Sequence, residues 1–160
     1  MPEDIEKSIK WHFIGHLQTN KSKKTAGNFD LIHSVDTFKL AQCLSQDAKT
    51  INTTQKILIQ VNISKEETKY GYGKRQLKEE IAKIKDLGPI DVKGLMTIAP
   101  YTNDEKHLKS VFRELRVFKE ELEKDFKIYL PELSMGMSND YKTAVQEGAT
   151  IIRLGSAIFR

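Results

Sequence analysis

Two short segments near the end of the chain carry residue types suited to holding a phosphate. The first is Ser134-Met135-Gly136-Met137-Ser138-Asn139-Asp140. An apolar run ends there, a glycine allows a sharp turn, and Ser138 opens a helical pattern. Backbone N–H groups at such a turn, joined by a serine hydroxyl, form an anion site. The second is Arg153-Leu154-Gly155-Ser156-Ala157, another run that ends in glycine followed by serine. Each segment also has a plain reading. Ser138 could simply cap a helix, Gly155-Ser156 could be an ordinary turn, and Arg153 could pair with a surface carboxylate. Taken together on consecutive strands, phosphate binding and plain turn chemistry stand level.

Other constellations carry less. His12 and His16 are spaced for a metal pair only on a helix. Their segment reads as a strand, which would set them about 13 Å apart. His33 precedes Ser34 at a strand end, where a ligand contact and a satisfied core histidine compete. Gly71-Tyr72-Gly73-Lys74 lacks the spacing of a phosphate loop, and Arg75 stands where a hydroxyl is required. The basic cluster Thr19 to Lys24 reads as a solvated helix start. It has no interleaved aromatics to support a nucleic-acid contact. Cys43 falls beside the apolar stripe of its helix and reads as an inert thiol.

These residues need elements to position them. Strand patterns are Trp11–Gly15, Leu31–Val35, Ile57–Ile63, Val92–Ala99, Leu133–Gly136 and Ile151–Gly155. Helical periodicity lies between them, over Asp36–Ile51, Gln76–Leu87, Asn103–Phe126 and Ser138–Glu147. The alternation predicts an α/β fold of parallel strands joined by crossover helices. It fits an open doubly wound sheet. It also fits the last six units of a (β/α)8 barrel, whose phosphate loops often follow the last two strands.

Composition bounds the class. The chain has 160 residues, 39% hydrophobic and 30% charged, enough apolar surface for one packed domain spanning 1–160. A net charge of +4 decides nothing between a phosphorylated small ligand and a nucleic acid. One cysteine rules out an internal disulfide and a cysteine metal cluster, and it fits a reducing, cytoplasmic setting. No apolar run approaches the roughly 18 residues of a membrane span. The opening Met1-Pro2-Glu3-Asp4 lacks the basic and apolar regions of a secretory signal.

Read together, the segments WHFIGHLQTNKSK, LIHSVD, ILIQVNISKEETKYG, GLMTIAP, LSMGMSNDY and EGATIIRLGSAIF resemble the YggS/PROSC family of pyridoxal 5'-phosphate (PLP) binding proteins. The resemblance runs in order and spacing from about Trp11 to Phe159. It implies an alanine-racemase-type barrel and a role in PLP, or vitamin B6, homeostasis without established catalysis. It also implies residue roles. Ser138 matches a serine on the phosphate, with Met137 beside it. Gly155 and Ser156 match the second half of the phosphate cradle, where many relatives carry threonine at the position of Ser156. Arg153 matches the arginine facing the pyridine nitrogen. Met96 resembles a residue lining the ring pocket, and His33 and Asn62 lie at matching strand ends.

The sequence also departs from that family. The family's Schiff-base lysine lies on its first strand, in a segment like AVSKT. A glycine-rich segment like FGENYVQE follows the second strand. This sequence contains neither, and it opens just before the family's third strand. The expectation is therefore an incomplete barrel that holds PLP non-covalently at best. A longer gene, or a split or decayed copy, would account for it. Self-association or a partner would then cover the open side. Two other functions stay open at this point: a PLP-dependent amino-acid racemase, which needs the lysine as base, and a nucleic-acid-binding module using Lys21, Lys23 and Lys24.

Overall fold

The computed structural model describes residues 8–66 and 68–159. The opening residues Met1–Asp4, with the secretory-signal question they raise, lie outside the described residues. Six strands form one sheet, β1 (His12–Phe13), β2 (Leu31–Val35), β3 (Gln55–Gln60), β4 (Ile90–Met96), β5 (Glu132–Met137) and β6 (Ile151–Arg153). Every neighbouring pair is parallel and the strands follow one another in chain order. A doubly wound sheet must reverse its strand order at a switch point. This sheet never reverses, so the crossovers all wind the same way and the sheet curls into an open half-barrel. The curl shows directly in one contact. His33 on β2 reaches Ser134 on β5 across two intervening strands, with 2.9 Å between Nδ1 and Oγ.

The crossovers carry a short α1 (Ser22–Thr25), then α2 (Phe38–Thr50), α3 (Lys74–Lys85), α4 (Glu105–Phe126) and a short α5 (Tyr141–Gln146). Helix starts follow local chemistry. Thr37 caps α2 by accepting from the Leu40 N–H at 3.2 Å, and Asp104 caps α4 by accepting from the His107 N–H at 3.1 Å. Helix α4 ends at Lys127, whose φ of 49° is left-handed. The basic cluster becomes a 3-10 turn (Thr19–Lys21) running into α1, which is the helix start read from the sequence.

Alternation along the strands sorts two sets of side chains. Ile32, Ile57, Ile59, Leu95, Leu133 and Met135 face the helices and pack with Leu44, Ile81, Phe112 and Phe118 in the main core. Leu31, Leu58, Met96 and Ile151 form a second, smaller cluster with the alternate residues. His33, Ser134 and Arg153 share the parity of that second set. The strands are buried on both faces, as parallel strands covered by crossovers require.

Two glycines make the sheet possible. At Gly94 a Cβ would sit 1.9 Å from the Glu132 carbonyl oxygen, so only glycine lets β5 pair with β4 there. At Gly136 (φ +91°) a Cβ would meet the Ala144 Cβ at 2.6 Å and the Tyr141 Cα at 3.0 Å. Glycine therefore brings α5 down onto β5 and sets the loop between them.

Candidate functional site

The C-terminal ends of β5 and β6 meet where a parallel barrel places its ligands. After β5 the chain turns tightly. The Asp140 carboxylate accepts from the Met137 N–H at 2.5 Å, and the Asp140 N–H donates to the Met137 carbonyl at 3.1 Å. This turn delays the helix. Ser138 reads from sequence as a helix cap, but α5 begins at Tyr141 with Asp140 before it. The Ser138 hydroxyl is used across the mouth instead. Its oxygen accepts from the Gly155 N–H at 3.1 Å and the Ala157 N–H at 3.3 Å. The β6 loop closes on itself through N–H groups of Ile158 and Phe159, both donating to the Gly155 carbonyl at 2.9 and 3.0 Å. Two backbone donors thus converge on the Ser138 hydroxyl oxygen, a small nest that the serine itself fills.

A cavity of about 260 Å³ opens beside this nest, lined by Met137, Ser138, Gly155, Ser156, Ile98 and Tyr101, among others. Four residues expected at the site therefore lie together. Met137 and Tyr101 are exposed enough to meet a ligand, at 45% and 93%.

Arg153, two residues before Gly155 on β6, is nearly buried at 9% exposure and does not itself line the cavity. Its Nη1 donates to Ser134 Oγ at 2.6 Å and its Nη2 donates to the Thr97 carbonyl at 2.8 Å. Thr97 is itself fixed, its hydroxyl donating to the Val61 carbonyl at 2.8 Å. The two bonds from Arg153 use two of the five N–H groups of its guanidinium. Burial lowers its pKa to about 10, against the pull of Asp140, so it stays charged near neutrality.

The remaining expected residues lie elsewhere. His33 is buried and hydrogen-bonded to Ser134 and, through Nε2, to His12 Nδ1 at 3.1 Å. Burial first, then the neighbouring His12 and Arg153, lower its pKa to about 3, so it is neutral at ordinary pH. Met96 is 1% exposed within the inner apolar cluster and does not line the cavity. Asn62 fastens the loop after β3, its amide donating to the carbonyls of Glu66 at 2.8 Å and Lys69 at 3.2 Å.

Sequence reading missed several participants. Ser134 stands two residues before Gly136 on β5, and Thr97 just past β4. Their strand parity and position were the available signals, but nothing in the sequence announces the curl that brings them to Arg153. His12 and His16 were read only as a poor metal pair. They part company in the fold. His12 joins His33, while His16 Nδ1 lies 3.2 Å from Asp36 and its ring stacks on Tyr70 at 3.7 Å. Among the described residues no cluster of three or more metal-ligating side chains occurs.

Known proteins match this arrangement along most of the chain. The family model for the alanine racemase N-terminal domain matches residues 5–160. A pyridoxal phosphate homeostasis protein of Aquifex aeolicus is 44% identical over 151 residues, covering 94% of this chain and 66% of that protein. A protein of the same name in Synechocystis is 38% identical and is 69% covered. The chain thus spans about two thirds of the length of these curated relatives. Among solved structures, PipY of Synechococcus elongatus with PLP bound superposes with a TM-score of 0.89 at 35% identity, over 98% of this chain and 74% of PipY. PipY without PLP gives 0.91 at 36% identity. Alanine racemase of Clostridium difficile shares the fold, with a TM-score of 0.74 at 15% identity. The chain belongs to the alanine racemase N-terminal domain family, within the group of pyridoxal phosphate homeostasis proteins.

Proposed function

We propose that this chain binds PLP non-covalently at the β5 and β6 ends and acts in PLP homeostasis as a carrier rather than a catalyst. The observation that carries this reading is the cavity lined by Met137, Ser138, Gly155 and Ser156, where Ser138 draws the loops after β5 and β6 together. These groups fit PLP at both ends of the molecule. The Ser138 and Ser156 hydroxyls supply donors for a phosphate, and rotation of Ser138 would release the Gly155 and Ala157 N–H groups that now donate to it. Arg153 supplies N–H donors for an acceptor such as a pyridine nitrogen. Met137 and Tyr101 offer apolar and aromatic surface beside the cavity.

PLP, when bound, supplies an electron-withdrawing ring that stabilises carbanions. Arg153 has only donors, so it suits a ring nitrogen that carries no proton. A ring in that state is a weaker electron sink, which favours holding the cofactor over strong carbanion chemistry. The pyridoxal phosphate homeostasis proteins among its relatives and the PLP-bound PipY support PLP as the ligand. No helix among the described residues is long and apolar enough to cross a membrane. The single cysteine suits a reducing compartment, and we infer a cytoplasmic location from it.

The test is a titration with PLP against pyridoxal, which lacks the phosphate. The reading predicts phosphate-dependent binding that is lost when Ser138→Ala and Ser156→Ala are combined. Equal affinity for the two ligands, or an undiminished double variant, contradicts it.

A further inference from the structure

Arg153 ends a line of hydrogen bonds that crosses the half-barrel. The direction of each bond follows from donor counting. A guanidinium only donates, so Ser134 Oγ accepts from Arg153 Nη1 at 2.6 Å. Ser134 is fully buried, so its own proton needs an acceptor, and His33 Nδ1 lies 2.9 Å away. The proton of neutral His33 is then on Nε2, which donates to His12 Nδ1 at 3.1 Å. Ser134 and His33 each donate once and accept once.

A second positive charge inside would break this order. An imidazolium at position 33 would donate from both nitrogens, leaving Ser134 with two donors and its own proton without an acceptor. The charged or titratable groups acting on His33 are His12 and Arg153, and Asp140 acts on Arg153. Among the described residues no carboxylate acts on His33 to offset such a charge. The line is therefore built to be neutral from His33 to Ser134, with a fixed cation at Arg153.

We propose that His33, acting through Ser134, is a positioning residue that aims the Arg153 guanidinium and so tunes how tightly the site grips the ring of its ligand. The proposal rests on the PLP reading above. His33, Ser134 and Arg153 all stand behind the lining of the cavity beside Ser138, and Arg153 stands next to it, two residues before Gly155 and bonded to the Thr97 carbonyl beside Ile98. The influence of His33 and Ser134 on a ligand therefore passes through Arg153, and the phosphate nest does not depend on them.

The experiment separates the two ends of the ligand. PLP binding is followed by its absorption spectrum, and inorganic phosphate is used as a competitor for the phosphate end alone. The variants are Ser134→Ala, His33→Ala, His33→Asn and Ser138→Ala. The expected result is a loss of PLP affinity of about tenfold in Ser134→Ala and His33→Ala. Inorganic phosphate should compete as in the wild type, and the spectrum of bound PLP should shift. His33→Asn, whose amide oxygen can accept near the position of Nδ1, should restore most of the affinity and the spectrum. Ser138→Ala should lose PLP and phosphate alike.

Three outcomes overturn the proposal. Wild-type PLP binding in Ser134→Ala and His33→Ala, with loss in Ser138→Ala, removes the positioning role and leaves the PLP reading standing. Equal loss of PLP and phosphate in the His33 variants, without rescue by asparagine, makes His33 merely structural. Absence of phosphate-dependent PLP binding in the wild type overturns both readings. A melting curve accompanies each variant; should His33→Ala fail to fold, Ser134→Ala and His33→Asn decide.

Discussion

Removing the titration of His33 should flatten the acid side of this protein's stability profile. In the fold, burial first and then its neighbours His12 and Arg153 hold the imidazole pKa down to about 3, against an ordinary value of 6.5. Between those values the unfolded chain binds a proton that the folded chain refuses. Unfolding therefore takes up a proton in that window, and stability falls as pH falls from 6.5 towards 3. At pH 7 the effect is close to nothing. At pH 5 the unfolded imidazole is about 97% protonated, and the full shift is worth about 2 kcal/mol. Water entry and rearrangement around His33 trim this to about 1–2 kcal/mol, or roughly 2–8 °C in melting temperature for a chain of this size. The assay is urea unfolding at pH 7 and pH 5 for the wild type and His33→Asn. The asparagine keeps a hydrogen-bonding side chain but cannot titrate. Carboxylates such as Glu147 and Glu123, held below their ordinary range, lose stability on acidification too. They do so in both proteins, and the difference cancels them. The wild type should lose about 1–2 kcal/mol more than the variant. Parallel pH profiles would refute a neutral, buried His33 and with it the direction of the hydrogen bonds that lead to Arg153.

Further outcomes follow from packing and charge. Gly136→Ala should cost about 3 kcal/mol or more, since a Cβ would meet the Ala144 Cβ at 2.6 Å on a backbone with φ of +91°; thermal melting checks it, and PLP binding should weaken as α5 lifts from β5. Gly94→Ala should do worse, because its Cβ would lie 1.9 Å from the Glu132 carbonyl oxygen and part β4 from β5; loss of soluble, cooperatively melting protein is the expected readout. Glu147→Ala should cost about 1–3 kcal/mol in urea unfolding. Its carboxylate is 4% exposed and takes two bonds from Arg113, at 3.1 and 3.2 Å, with Arg116 at 3.6 Å. That loss leaves two or more cations on α4 without their partner and loosens the helix behind Ser138.

The sequence was informative where one local pattern decided one local structure. Apolar periodicity placed α2, α3 and α4 because the stripes of Leu40 and Leu44, Leu77 and Ile81, and Phe112 and Phe118 are each continuous over several turns. The β-branched run around Ile57 and Ile59 placed β3. Element ends were less legible. Trp11–Gly15 reads as a strand, but only His12–Phe13 pairs, because β1 is an edge and Trp11 and Ile14 stay exposed. Local pattern left the half-barrel and the doubly wound sheet level, since both are βα alternations. Strand order separates them, and strand order depends on contacts between distant segments. The site shows the same division. Ser138, Gly155 and Ser156 could be found because phosphate chemistry demands small, polar, turn-forming residues. Ser134, Thr97 and His12 could not, because a buried serine, threonine or histidine acquires its role only from the strand across the barrel.

The most direct test of the account is a titration of the isotope-labelled chain with PLP, followed through the backbone amides by NMR. At 18.4 kDa every amide in the nest is within reach of the method. The account predicts that the Gly155, Ser156 and Ala157 amides shift most, together with Ser138, and that pyridoxal shifts them far less. Largest shifts elsewhere on the molecule, or equal shifts with pyridoxal, would contradict it.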